Sequence, residues 1–255
     1  MSAAFLEVEG LTKHYGGVAA LDGCTLSLAK GEVTGLIGPN GAGKTTLLNA
    51  LTGLAKPDAG RVTFDGADVT GLPAHRMAAR GVVRSFQIVR ELASLTVFET
   101  LLLAPPHQIG ETLTGAMARR RRWWAQEHAN AGKARTLLER IGLWRLADQP
   151  SARLSGGQKK LLEVARALLL EPKLILLDEP GAGVSPPLRE EIIALVRELK
   201  GEGLSFGIVE HDMHLVGEIC DHVHVLAEGR TLVSGTFAEA TADPRVVDAY
   251  LGLAA

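Results

Sequence analysis

Cysteine is almost missing: the 255 residues contain two, Cys24 and Cys220. They lie far apart and match no zinc-ligand spacing, which excludes a disulfide-stapled scaffold and a cysteine-built metal site. Both are expected to be small buried apolar residues in a reducing compartment. Long hydrophobic runs are missing as well. The longest candidate, 167–177, is interrupted by Glu171, Pro172 and Lys173, so no 18-residue apolar stretch can span a bilayer as a helix. The start, MSAAFLEVEG, lacks the basic-then-apolar order of a secretion signal. A cytosolic chain, or one on the cytosolic face of a membrane partner, is expected. Charge of one sign is the third absence. Lys plus Arg is 27 and Asp plus Glu is 29, a net charge of −2, without the positive field a general nucleic-acid binder uses against phosphates. Internal repeats and low-complexity linkers are absent too. What remains is a globular balance, 46 % hydrophobic and 22 % charged, in a chain long enough to bury about 70 % of its unfolded surface.

Short β-type runs alternate with helical stretches, which predicts an α/β fold. Strands are expected at 5–9, 24–28, 32–37, 61–64, 82–86, 174–177, 205–210, 222–226 and 230–234, and a helix at 43–51. The run 174–177 is wholly apolar and ends in acid, the pattern of a central parallel strand covered on both faces. From about 96 to 167 the sequence is helix-biased, with Ala134, Leu137, Leu138 and Ile141 at helical spacing. This predicts one domain over 1–255, with a helical subdomain at about 96–167 inserted into an α/β core of 1–95 and 168–255.

The strongest local pattern is G-x-x-x-x-G-K-[ST], written here as Gly38, Pro39, Asn40, Gly41, Ala42, Gly43, Lys44 and Thr45, followed by Thr46. It sits between an expected strand and an expected helix, the context a phosphate loop requires. Glycines let backbone N–H groups converge on phosphate oxygens, and the helix adds its positive N-terminal end. Lys44 is expected to reach the β- and γ-phosphates and Thr45 to ligate Mg²⁺. The natural partner is Asp178-Glu179, at the carboxyl end of the apolar strand, where α/β sheets place ligands. Neighbouring side chains on a strand face opposite ways, so the two carboxylates can divide the work. Asp178 is expected to hold Mg²⁺, directly or through water, and Glu179 to polarise the attacking water as a general base. A further run, Leu154-Ser155-Gly156-Gly157-Gln158, opens a helix with Leu161, Leu162, Val164, Ala165, Leu168 and Leu169 on its apolar face. Ser155 is a good N-cap, and the two glycines permit close approach to an anion. One γ-phosphate shared between both helix starts in a head-to-tail dimer accounts for the pair; a capped structural helix is the plainer reading.

These motifs, in this order, resemble the nucleotide-binding subunit of ABC transporters over nearly the whole chain. The run 154–158 reproduces that family's signature sequence unchanged. The resemblance implies a P-loop NTPase core of ABC ATPase type, with an inserted helical subdomain and an N-terminal antiparallel β portion. It implies ATP and Mg²⁺ as cofactors. Two subunits would sandwich two ATP molecules, each between one phosphate loop and the other subunit's Ser155, Gly156, Gly157 and Gln158. Gln87 matches the Q-loop glutamine, which senses Mg²⁺ and the γ-phosphate. His211 matches the switch histidine at the γ-phosphate, and Tyr15 the aromatic residue that stacks on adenine. The implied partners are membrane permease subunits, an identical or related second ATPase and, indirectly, a solute-binding protein. No nucleic-acid partner is expected.

One departure is visible. The family's D-loop commonly ends in Asp, where this chain has Ser185 in Gly181-Ala-Gly-Val-Ser-Pro186. That variation resembles the ATPases of branched-chain amino acid importers. Phe86-Gln87, Glu91-Leu92-Ala-Ser-Leu95-Thr96-Val97, Val209-Glu210-His211-Asp212-Met213 and Ala249-Tyr250-Leu251-Gly252 match the same subfamily, and lipopolysaccharide-export ATPases share some of them. The expected function is therefore the ATP-hydrolysing subunit of an amino-acid importer on the cytosolic face of the inner membrane. An export ATPase, a soluble ABC ATPase and a small-molecule P-loop kinase are the rivals. Arg119-Arg-Arg-Arg122-Trp123-Trp124 stands apart, either as a contact with lipid, a membrane subunit or nucleic acid, or as a solvated helix face with its tryptophans tucked inward.

Overall fold

Two twelve-residue strands, β1 (Ala4–Tyr15) and β2 (Val18–Ala29), open the fold in a computed structural model that describes residues 4–85, 94–111 and 120–251. Both run well beyond the expected 5–9 and 24–28. The inner halves alternate buried and exposed side chains, which is what hydrophobic patterning detects. The outer halves are largely solvent-facing and interrupted by register shifts. Besides the ladder they are held by polar contacts, with Lys13 Nζ and His14 N–H both on the Asp58 carboxylate, until Tyr15 pairs with Val18 across Gly16-Gly17.

The described residues divide into two compact units. The first lies within Met1–Arg84, Lys173–Ala182 and Arg189–Ala255. Its antiparallel sheet has the order β2-β1-β4-β5, with β4 at Ala59–Phe64 and β5 at Ala67–Asp68. Its second sheet has six strands in the order β10-β9-β3-β8-β7-β6. These are β3 (Val33–Ile37), β6 (Val82–Arg84), β7 (Leu174–Asp178), β8 (Ser205–Val209), β9 (His222–Ala227) and β10 (Arg230–Gly235). All neighbours are parallel except β10, which returns antiparallel to β9. β3 and β8 are buried at every residue and β7 at all but Asp178, as parallel strands covered on both faces must be. The expected strand 82–86 pairs only over 82–84, and Phe86 lies outside the described residues.

α1 (Lys44–Leu51) follows β3 and buries Leu47, Leu48, Ala50 and Leu51. These side chains join Phe5, Leu6, Phe64, Leu174 and Val209 in one apolar cluster shared by both sheets. The start of α1 is thus clamped by packing at its far end. α2 (Ala74–Arg80) ends at Gly81 and leads into β6.

The second unit lies within Ser85–Pro172 and Gly183–Leu188. It is helical, with α3 (Val97–Leu102), α4 (Arg120–Arg140) and α5 (Gly156–Leu168). Thr96 and Glu99 form a capping box on α3. Of the residues at helical spacing, Ala134, Leu138 and Ile141 are buried, with Leu101, Leu161, Leu162 and Ala165, while Leu137 is half-buried. The long α6 (Pro186–Gly201), then α7 (Met213–Ile219), α8 (Phe237–Ala242) and α9 (Pro244–Leu251), complete the chain. Among the described residues no helix is long and apolar enough to cross a membrane. Cys24 and Cys220 are free thiols. Cys24 is fully buried, and burial pushes the Cys220 thiol up to about 12.

Candidate functional site

The phosphate loop leaves the carboxyl end of β3 in a path that side chains would obstruct. Gly38 has φ +148°, and a Cβ there would lie 2.1 Å from the Leu226 carbonyl oxygen on β9. Gly43 has φ +98°, and its Cβ would lie 2.4 Å from the Ala20 carbonyl oxygen. Both distances are below any tolerable contact, so the loop requires glycine at each end. Ala42 N–H donates to the Pro39 carbonyl at 3.2 Å, and Gly229 N–H donates to the Ala42 carbonyl at 3.1 Å. Gly43 is the N-cap of α1 and provides no side-chain cap, so the first-turn N–H groups receive no cap oxygen from it. That arrangement suits an anion.

Lys44 turns its amine back into the loop. Nζ donates to the carbonyls of Gly38 at 2.6 Å and Pro39 at 2.8 Å. Desolvation pushes the amine below its ordinary pKa, against the opposing pull of Glu179 and Asp178. A cavity of about 270 Å³ opens here. It is lined by Val18, Ala19 and Ala20 of β2, by residues 40–46, and by Glu179 and Val209. Asn40, Gly41, Lys44, Thr45, Thr46 and Glu179, expected from sequence to act together, therefore do face one space. Tyr15 is not among the lining residues, although it pairs with Val18, which is. Its ring is half exposed, with Lys13 Nζ 5.4 Å from the centroid.

Parallel pairing brings the acidic pair beside β8. Asp178 is in register with Val209, and Glu179 N–H donates to the Val209 carbonyl at 2.8 Å. Glu179 has φ +49°. That left-handed backbone is rare for a residue with a Cβ, and such conformations gather at functional sites. The Asp178 Oδ2 accepts from Arg84 Nη2 at 2.5 Å, and Arg84 Nη1 donates to Asn49 Oδ1 at 2.6 Å. Arg84 and Asn49 were not legible as site residues. Only the β6–β7 pairing and the helical turn of α1 bring them to Asp178, and neither carries a motif.

His211 follows β8. Its Nδ1 lies 3.8 Å from Glu179 Oε1 and 3.6 Å from Glu210 Oε2. Glu210 is the other residue that sequence reading left without a role. Its side chain is wholly buried; the run Val209-Glu210-His211-Asp212-Met213 includes it, but nothing in that run says what its carboxylate bonds.

In the second unit, Ser155 caps α5 as expected. Ser155 Oγ accepts from Gln158 N–H at 3.3 Å, and Gln158 Oε1 accepts from Ser155 N–H at 2.9 Å. The two glycines differ. Gly156 is exposed, its nearest approach being the Gly183 carbonyl at 3.8 Å. Gly157 is buried, and a Cβ there would fall 1.7 Å from Leu188 Cδ2. Packing alone forbids a side chain at Gly157, whereas Gly156 leaves open backbone for an anion. Ser185 is exposed just before α6. Gln87, with Phe86, Glu91 and Leu92, lies outside the described residues, as do Arg119 and Gly252. On α4, Arg121 and Arg122 are exposed and Trp123 is half-buried against Gly110. Trp124 is exposed, its ring edge-on to His128 at 4.1 Å.

Comparison with known proteins agrees with this geometry. The profile of the ABC transporter family matches residues 21–182. A probable branched-chain amino acid transport ATP-binding protein, LivG of Archaeoglobus fulgidus, is 41 % identical over 97 % of this chain and 95 % of its own length. The high-affinity branched-chain amino acid transport ATP-binding protein BraF of Pseudomonas aeruginosa is 38 % identical, covering 99 % of each chain. Among solved structures, the ADP conformation of an ATP-binding cassette of an ABC transporter superposes with a TM-score of 0.85 at 39 % identity, over 98 % of this chain and 100 % of that one. A nucleotide-free cassette gives 0.85 at 38 % identity, over 96 % and 98 %. Likeness of this extent leaves no room for a kinase or another P-loop enzyme: the chain belongs to the ABC transporter family, as an ATP-binding subunit whose ATP hydrolysis is coupled to transport.

Proposed function

We propose that the chain is the motor subunit of an ABC importer for branched-chain or other hydrophobic amino acids, peripheral on the cytosolic face of the inner (plasma) membrane. The observation that carries the reading is the single cavity shared by Lys44, Thr45 and Glu179, in a chain about 40 % identical to relatives named for branched-chain amino acid transport. The region 1–255 is read as one cassette, with 96–167 as its helical subdomain.

ATP enters with its phosphates over 38–46, and Lys44 exchanges the Gly38 and Pro39 carbonyls for β- and γ-phosphate oxygens. Tyr15 offers a flat face for adenine. The residues present fit Mg²⁺, because Thr45 and Asp178 supply hard oxygen donors. Among the described residues no group of three His, Cys, Asp or Glu is arranged to hold a metal by itself. Bound there, Mg²⁺ would neutralise phosphate charge. Gln87 is read as its third protein contact. Arg84 must loosen its grip on Asp178 for that carboxylate to turn to the cation. Glu179 orients and deprotonates the attacking water, and His211 stands beside it to bond the γ-phosphate. Ser155, Gly156, Gly157 and Gln158 of a partner ATPase close over the nucleotide. That partner is a second copy of this chain or a related ATPase. Closure and reopening drive permease subunits between access states.

Glu179→Gln tests the site. It is expected to bind ATP like the unaltered chain, to associate stably with its partner ATPase, and to hydrolyse at least about a hundredfold more slowly. Sizing chromatography and a phosphate-release assay read the result. A Glu179→Gln chain that hydrolyses ATP normally, or stays monomeric at saturating Mg-ATP with every candidate partner, would overturn it. Uptake of labelled leucine, isoleucine and valine by cells lacking the chain tests the solute.

A further inference from the structure

Glu210 is a buried carboxylate that the mechanism above does not use. Its side chain has no exposed surface, and burying that charge is unfavourable unless hydrogen bonds compensate. Three backbone N–H groups do so. Oε1 accepts from Gly181 at 2.7 Å, and Oε2 accepts from His211 at 2.8 Å and Asp212 at 3.2 Å. The donors belong to two different loops. Gly181 lies two residues beyond Glu179, and His211 and Asp212 begin the segment after β8. The fit is tight on the first side, where a Cβ on Gly181 would stand 2.7 Å from Glu210 Oε1. The second side is braced further out. Asp212 caps α7 through the N–H groups of His214 and Leu215, and its Oδ2 pairs with Arg189 at 2.8 Å.

We propose that Glu210 is a positioning residue, a two-sided acceptor that sets the spacing between Glu179 and His211. The inference rests on the reading of those two residues in the proposed function. Charge-assisted bonds to both loops hold the 3.8 Å separation between His211 Nδ1 and Glu179 Oε1. When either loop moves with nucleotide, the shared carboxylate carries the displacement to the other. An amide cannot replace it. Glutamine has one acceptor oxygen, and its NH₂ would face a backbone N–H on one of the two sides.

The test compares Glu210→Gln, Glu210→Asp and Gly181→Ala with the unaltered full chain, by ATP binding, melting and steady-state ATPase kinetics. Glu210→Gln is expected to melt cooperatively and bind ATP within twofold of the unaltered chain, while kcat falls at least tenfold with KM little changed. A loss of folded protein alone would not lower kcat per nucleotide-binding molecule. Glu210→Asp keeps acceptors for both sides and is expected to recover part of kcat. Gly181→Ala, which pushes on Oε1 with the carboxylate intact, is expected to lower kcat in the same way, and decides the matter if Glu210→Gln does not fold. A kcat within twofold of normal for the folded variant, or Glu210→Asp no better than Glu210→Gln, overturns the proposal. Glu179→Gln run alongside separates the two readings. If it stays active, the site assignment itself fails; if it is inactive while Glu210→Gln is normal, only the positioning role fails.

Discussion

Lys44 makes its own loop the stand-in for a ligand. With its amine on the Gly38 and Pro39 carbonyls, the loop stays shaped around a positive charge, and on the proposed function ATP would exchange one set of oxygens for another. A hydrogen bond to a charged group contributes about 1.5–3 kcal/mol. Lys44→Ala should therefore weaken ATP binding by about a hundredfold or more, measured by calorimetric titration, with a much smaller effect on melting. The phosphate loop, Lys44, Thr45 and Glu179 were legible because each chemical role constrains residue type at fixed spacing. Arg84, Asn49 and Glu210 were not, because their partners are reached only through the strand order and through loops at strand ends. Nor does any pattern announce that Glu179 lies at φ +49°.

The element with the most telling start is α5. Its capping box agrees with the sequence expectation for Ser155, but Gly157 has a reason that spacing could not reveal, the Leu188 side chain lying where a Cβ would be. Gly157→Ala should displace Leu188, overpack the site and lower stability by about 1–3 kcal/mol. Gly156→Ala adds a methyl to open space and should leave melting nearly unchanged. Denaturant titration of the two variants checks the difference. Buried strands were read from sequence largely where they occur, because complete burial leaves continuous apolar runs; the helix α6, whose buried Ile192, Ile193, Leu195, Val196 and Leu199 alternate with polar residues, was not. The outer halves of β1 and β2 escaped, since a ribbon beside solvent, held by its ladder and by polar contacts such as those of Lys13 and His14 with Asp58, needs no apolar alternation.

Stability of the whole molecule should respond to acid through His224, which ties three strands together. The ring lies 2.6 Å from Ser234 Oγ on β10 and 2.7 Å from the Ser27 carbonyl on β2. Burial pushes its pKa down to about 4. The folded value is below the unfolded value of about 6.5, so the contribution is present above pH 6.5 and lost as pH falls toward 4. Two to three units of difference correspond to about 3 kcal/mol over that window. Melting between pH 7 and pH 4 should show the fall, and His224→Gln should remove that portion of it.

The two cysteines have a practical side. Cys24 is sealed in the core, and Cys220, half-buried beside Gly35, holds its proton to about pH 12. Thiol-directed probes act on thiolates, so at neutral pH the native chain is close to silent toward them. A cysteine introduced at the exposed Ser185 would be the one responsive address on the protein. A spin label or fluorophore there would report the approach of a labelled partner ATPase, whether a second copy or a related chain, with no background from the native thiols to subtract.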